Sequence, residues 1–214
     1  MTPQELLISG AKEFGLALSE EQIRSFFVFF SELKKWNKKI NLTTIREDRD
    51  IVVKHGLDSI AYIKGFTLFP GLKLLDMGSG AGFPALPIKI AYPEIEVALT
   101  ESVKKKASFL RHIIRLLTLR AAAVFDKRID QLPRSLLASF DVVTARAFAN
   151  MKTALAAGMP YLKPGGIVVL SRGSEETISD HEAAQVGVNS TKRIELILPY
   201  SDYKRAIWVF KKRG

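Results

Sequence analysis

Apolar residues near the N-terminus recur at helical spacing, whereas beyond Gly71 they gather into short continuous runs separated by polar or glycine-rich turns. Thr2, Pro3 and Glu5 form a capping signature that starts a first short helix. Ser19 and Gln22 repeat the device, Leu18 and Ile23 are placed as a hydrophobic staple, and a second helix is predicted from there to about Trp36. Its stripe of Ile23, Phe26, Phe27, Phe30 and Leu33 reads as a face docked on the following domain, with no chemistry assigned to it. From position 72 the pattern alternates. Strands are predicted at 72–77, 95–100, 122–125, 140–145 and 167–171, with a helix at 104–119 turning Ala107, Leu110, Ile113, Ile114 and Leu117 inward. After a polar stretch at 174–185, strands at 192–198 and 203–210 flank a short Pro-Tyr-Ser-Asp connection and close the sheet as a hairpin. The predicted fold is α/β and Rossmann-like: a mostly parallel seven-stranded sheet with an antiparallel final strand and an N-terminal helical extension. Residues 1–70 are expected to form a helical cap packed on a catalytic domain of residues 71–214.

Composition narrows the classes of function. No apolar run approaches the roughly 20 residues needed to cross a bilayer, so no membrane association is expected. The opening MTPQELLISG lacks the features of a secretory signal, and a cytoplasmic location follows as the expectation. The chain has no cysteine, which removes disulfides, thiolate metal sites and any cysteine nucleophile. A formal charge of +10 points to an acidic partner such as nucleic acid. The charge is also clustered: Lys34, Lys35, Lys38 and Lys39 form one group, and Lys104, Lys105, Lys106, Arg111, Arg115 and Arg120 follow one helix candidate. Solvated helix faces are the plainer reading of the same residues.

The chemistry centres on the run from Asp76 to Pro84, between the first strand and its helix, where Gly78, Gly80 and Gly82 allow a sharp turn and close approach of a ligand to backbone N–H groups. Glu101, after the second strand, has the spacing of an acid that binds ribose hydroxyls. A dinucleotide fingerprint would place glycine where Phe83 stands. S-adenosylmethionine has no phosphate and tolerates the larger residue, so it is the expected cofactor, used as methyl donor, with no metal. Asp130, five residues past the third strand, is placed to meet an adenine amino group, although an acid there can equally cap a turn. Methylation of pyrimidine carbon 5 requires a cysteine adduct, and none can form. The fourth strand ends in Thr144-Ala145-Arg146-Ala147-Phe148 and not in the Asp/Asn-Pro-Pro-aromatic run used for exocyclic amines. A ring nitrogen with a free lone pair needs alignment and no general base.

Several segments together resemble the RsmG family, also called GidB, of bacterial 16S rRNA guanine-N7 methyltransferases. They are the run from Trp36 to Thr43, His55-Gly56-Leu57-Asp58-Ser59, the glycine loop with Phe83-Pro84, the stretch from Lys105 to Leu110, Arg128, and Arg146-Ala147-Phe148-Ala149. Alanine at positions 81 and 85 and Glu101 in place of aspartate depart from the family pattern. The resemblance implies a class I methyltransferase fold and 16S rRNA or the small ribosomal subunit as partner; a monomer is the expected state. It implies that Gly78, Phe83, Ile129, Asp130 and Arg146 contact or adjoin the methyl donor, that Arg128 and Arg146 sit in a basic active-site cleft, and that Asn41 is a target-base contact. Without it, Asn41 reads as a turn residue, Arg128 and Arg146 as surface ion-pair partners, and Asp58 and Ser59 as a helix cap. His55 is assigned a structural place. A methyltransferase for a small acidic metabolite and a nucleotide-binding protein without methyl transfer are the competing readings.

Overall fold

The structure is a computed structural model that describes residues 1–146, 148–173 and 176–213, with Asp180 described in its backbone alone. Ser174 and Glu175, which open the polar stretch, and Ala147 of the 146–149 segment therefore lie outside the described residues.

Both predicted caps are present. Thr2 and Glu5 close a capping box on α1 (Pro3–Glu13), and Ser19 and Gln22 do the same for α2 (Glu20–Ile40). The second helix continues a turn past Trp36 and ends on Asn41 in the left-handed conformation, φ 40°. Its inward stripe is Ile23, Phe26, Phe29, Phe30 and Leu33. Phe29 thus replaces Phe27, which is only partly buried, because the helix packs on three other helices and its buried arc is wider than one stripe. Each of these fully buried aromatic side chains contributes about 2–3 kcal/mol of burial free energy. Docking of α2 therefore rests on its phenylalanines.

The stretch 48–65, for which the sequence pattern indicates no regular element, forms α3 (Asp48–Ile51), a wide π-helical turn (Val52–Leu57), α4 (Asp58–Ile60) and a 3-10 turn (Ala61–Gly65). π turns of this kind are frequent at functional sites.

The remaining elements alternate: β1 (Lys73–Met77), α5 (Ala85–Ala91), β2 (Glu96–Thr100), α6 (Lys104–Leu116), β3 (Ala122–Phe125), β4 (Phe140–Arg146), α7 (Met151–Gly158), β5 (Leu162–Arg172), α8 (Asp180–Gln185), β6 (Val188–Ile197) and β7 (Lys204–Lys212). They build one seven-stranded sheet in the order β3-β2-β1-β4-β5-β7-β6. β1 to β5 pair in parallel, and β7 runs antiparallel between β5 and β6. The helix predicted to reach position 119 stops at Leu116, and β5 and β6 each begin several residues earlier than their most apolar stretch.

Strand side chains alternate between two cores, as a sheet covered on both faces requires. Leu74, Val97, Leu99, Val142, Val169 and Ile207 join α1, α2, α5 and α6 in one buried cluster, while Leu75, Ala98, Val143, Val168, Leu170 and Trp208 join α7 and α8 in the other. The N-terminal helices thus share a continuous core with the sheet. The carboxyl ends of β1, β2 and β4, at the point where strand order reverses, are left to form a site.

Candidate functional site

The glycine loop leaves the end of β1 and is pinned to the end of β2. The Gly78 N–H donates to the Thr100 hydroxyl at 3.0 Å, Ser79 N–H to the Thr100 carbonyl at 2.8 Å, and Gly80 N–H to Glu101 Oε2 at 2.9 Å. Glu101 Oε1 also accepts from Val103 N–H at 2.8 Å, which fixes the carboxylate against the loop. Gly80 has φ +57°, and a Cβ there would meet no protein atom nearer than 4.0 Å. Its space is open to a ligand. Gly82 has a different role, because a Cβ there would lie 2.4 Å from Leu86 and 3.1 Å from Leu110, so its missing side chain lets the loop pack on α5 and α6.

Beneath the loop, Asp76 is wholly buried and accepts from the Thr144 hydroxyl at 2.8 Å through Oδ1, while Oδ2 has no hydrogen-bond partner among the described residues. Burial pushes its carboxyl up to about 7, against the pull of nearby hydroxyls and the Arg146 charge. A buried, unpartnered carboxylate oxygen under an open glycine loop suits a cationic ligand group.

The second half of the site is built around Arg146, at the end of β4. Its Nη2 donates to the Lys54 carbonyl at 2.9 Å and lies 3.6 Å from Asp58 Oδ2, while Nη1 lies 3.1 Å from His55 Nδ1. A guanidinium can only donate, so His55 Nδ1 accepts and its proton sits on Nε2, which donates to the Thr43 hydroxyl at 2.7 Å. The imidazole also stacks on Phe83, with centroids 4.3 Å apart and an interplanar angle of 9°, and Arg146 lies 5.9 Å above the same phenyl ring. Burial, reinforced by the Arg146 charge, lowers the His55 pKa to about 3. His55 is therefore neutral at physiological pH. Asp58 is buried and bridges Arg146 and Arg205, whose Nε donates to its Oδ1 at 3.0 Å.

The structure brings Gly78, Gly80, Glu101, Phe83 and Arg146 to one end of the sheet. Phe83 is 6% exposed and turned toward Phe29 and His55, so its ring backs the loop. Asn41 is exposed, two residues from Thr43 in a loop clamped by Asn37, whose Oδ1 accepts from Leu42 and Thr43 N–H and whose Nδ2 donates to the Thr43 carbonyl. Arg128 and Asp130 pair with each other at 3.2 Å beyond the end of β3, and Ile129 is buried with its carbonyl accepting from Tyr161 Oη. Both pairing side chains are well exposed, and such pairs are worth about 1 kcal/mol or less, so a ligand can take Asp130 over at little cost.

Thr43, Asp58 and His55 belong to the site, although sequence reasoning gave them no partner. Asp58 is a buried bridge between two arginines and makes no capping hydrogen bond on α4. The available signal was the dense polar run His55-Gly56-Leu57-Asp58-Ser59 inside an otherwise apolar segment. The lysine clusters are also less uniform than their spacing suggested: Lys34 pairs with Asp48 at 2.7 Å and Lys35 with Glu32 at 2.6 Å. No helix among the described residues is long and apolar enough to cross a membrane, and no group of side chains among them could hold a metal ion.

Comparison with known proteins gives a consistent picture. A family model described as rRNA small subunit methyltransferase G matches residues 22–201. The ribosomal RNA small subunit methyltransferase G of Acetivibrio thermocellus is 37% identical, covering 98% of this chain and 88% of its own. That of Geobacter metallireducens is 36% identical and covers 99% and 97%. Among solved structures, a methyltransferase from Pyrococcus furiosus superposes with a TM-score of 0.62 at 16% identity, covering 89% of this chain and 98% of that one. A SAM-dependent methyltransferase from Aquifex aeolicus gives 0.54 at 14% identity, over 72% and 89%.

Proposed function

Because the chain belongs to the rRNA small subunit methyltransferase G family, we propose that it transfers a methyl group from S-adenosylmethionine to N7 of a guanine in 16S ribosomal RNA, as a monomer in the cytoplasm. The observation that carries the donor assignment is the pairing of an open glycine loop with a buried, unpartnered Asp76 Oδ2 beneath it. The loop N–H groups suit the carboxylate of the methionine moiety, Asp76 its cationic portion, Glu101 the ribose hydroxyls, and Asp130 the adenine edge. When bound, the donor supplies an electrophilic methyl group on a sulfonium sulfur.

Guanine N7 attacks with its own lone pair, and the site's contribution is orientation with water excluded. That agrees with the chemistry of the residues at hand. The one imidazole beside Arg146 is neutral, has its acceptor nitrogen occupied by Arg146, and has its Nε2 proton committed to the Thr43 hydroxyl. Arg146 is held from three sides with about a quarter of its side chain exposed, so its remaining N–H groups are available to the RNA backbone or to charge near the reacting guanine. A direct contact to N7 would occupy the attacking lone pair. Asn41, at the start of the clamped loop that carries Thr43, is assigned to the target base, and Arg128 to the RNA side of the cleft.

The test is to incubate the protein with labelled S-adenosylmethionine and either 16S rRNA or small subunits, then map N7-methylguanine by chemical cleavage of the modified base. A single cleavage dependent on protein and donor is the expected result. Transfer to a small acid with no label in RNA would replace this reading.

A further inference from the structure

The two halves of the site meet on one side chain. His55 presents the face of its ring to Phe83, directly after the glycine loop, and one edge to Arg146 at the end of β4. Its other edge is held by Thr43, in the loop that carries Asn41. We propose that His55 is a positioning residue for methyl transfer: acting as a neutral hydrogen-bond acceptor through Nδ1, it fixes the Arg146 guanidinium relative to the glycine loop and to the loop 41–43. This rests on the rRNA methyltransferase reading above.

Three features carry the inference. First, the tautomer is set by its neighbours. Arg146 can only donate to Nδ1, so Nε2 carries the hydrogen, and Thr43 Oγ accepts it while also accepting from Ile45 N–H at 3.1 Å. Second, the ring's position is determined by the fold. It sits in the π turn Val52–Leu57, between α3 and α4, 6% exposed, with its carbonyl accepting from the Ser59 hydroxyl. Third, the other partners of Arg146 hold only Nη2, since the Lys54 carbonyl and Asp58 both lie on that side. His55 is the partner of Nη1, so it fixes the rotation of the guanidinium plane. A cation beside an imidazole also requires that imidazole to be neutral, and burial among Phe83, Thr43 and the π turn keeps it so. An error in orientation on the order of an ångström is enough to cost about a hundredfold in rate in a reaction that depends on alignment.

Two substitutions separate positioning from packing. In His55→Asn the amide can place an oxygen where Nδ1 stands and keep the acceptor for Arg146, while losing the reach to Thr43. In His55→Gln the amide reaches the position of Nε2 and keeps Thr43, while losing the acceptor. Both lose the ring stacked on Phe83, so a purely packing role affects them alike. At saturating donor and RNA, His55→Gln and His55→Ala are expected to lose about tenfold or more in kcat with donor Kd changed by less than about threefold, and His55→Asn to recover most of that loss. Equal kcat in the Asn and Gln variants at matched stability overturns the assignment.

Nitrogen-15 spectra of the histidine rings provide a readout that does not depend on catalysis. The wild-type spectrum is expected to show His55 as the Nε2–H tautomer at neutral pH, with an Nδ1 resonance that moves when Arg146→Ala removes its donor. An Nδ1–H tautomer, or a resonance indifferent to Arg146, also overturns the inference. If the wild-type protein methylates no ribosomal RNA, the proposed function fails, and the spectra alone decide whether His55 holds Arg146.

Discussion

At the scale of single residues, two buried groups have displaced pKa values of opposite consequence. The unfolded chain protonates His55 near 6.5 but the folded protein only near 3, so lowering the pH through that window favours the unfolded state, which binds the extra proton. Asp76 behaves the other way: the fold keeps up to about pH 7 a proton that the unfolded chain gives up near 3.8, so raising the pH through that window costs stability. Each contributes a slope of up to about 1.4 kcal/mol per pH unit, and where the windows overlap the two slopes offset each other. Urea melts of the wild type are therefore expected to be nearly flat in pH between about 4 and 6.5 as far as these groups are concerned. Asp76→Asn should uncover a loss of stability toward low pH, and His55→Asn a loss toward high pH. Identical pH profiles in all three proteins would show that neither group titrates as assigned. A cationic donor should also favour ionised Asp76, so its affinity should rise with pH up to about 7, an effect that Asp76→Asn removes. Gly80→Val tests the loop. Protein atoms leave room for a Cβ there, so the fold should lose only about 1–2 kcal/mol, for the left-handed backbone, while calorimetric donor binding disappears. Wild-type affinity in that variant would move the donor site away from the loop.

At the scale of elements, the basic helix and the site are expected to have separable functions. Lys104, Lys105 and Lys106 open α6 at its solvent-facing end and make no part of the loop or of the Arg146 network. Replacing all three with alanine is expected to lower RNA affinity and to flatten its salt dependence, by roughly 0.7–0.9 in the log–log slope for each phosphate no longer neutralised, while donor affinity stays near wild type. An unchanged slope would leave these lysines as a solvated face and move the RNA path toward the cluster of Lys34, Lys35, Lys38 and Lys39, or elsewhere. The elements themselves are legible in the sequence to different degrees, for physical reasons. Parallel strands buried on both faces, here β1, β2 and β4, read as plain apolar runs, and the predicted bounds of these strands and of the edge strand β3 agree with the structure to within about a residue. The capping boxes mark the starts of α1 and α2, whereas the end of α2 carries no glycine and lies one turn beyond its predicted position. The site is only half visible. A glycine loop after a strand announces itself locally, but the partners of Arg146 come from the 54–58 region, and neither hydrophobic period nor motif spacing encodes a contact of that span. A π turn has no compositional signature, so His55 reads in the sequence as a structural histidine without a partner.

At the scale of the whole molecule, the cofactor should act as a stabiliser. A ligand present at 100 times its Kd adds about 2.7 kcal/mol, which for a chain of this size raises Tm by roughly 5–10 °C. S-adenosylmethionine and its demethylated product are expected to do this in a thermal melt and NAD is not. Stabilisation by NAD alone would reassign the loop. The sheet order has one more consequence, for the time course of synthesis. β6 is made before β7, yet β7 lies between it and β5, and β7 also brings Arg205 to Asp58. A growing chain that has emerged as far as position 200 therefore holds a strand whose native neighbour is not yet made and an acid still missing one of its two arginines. A stop codon shortly before β7 thus removes two strands from the sheet, and such late nonsense mutations should behave genetically as complete losses.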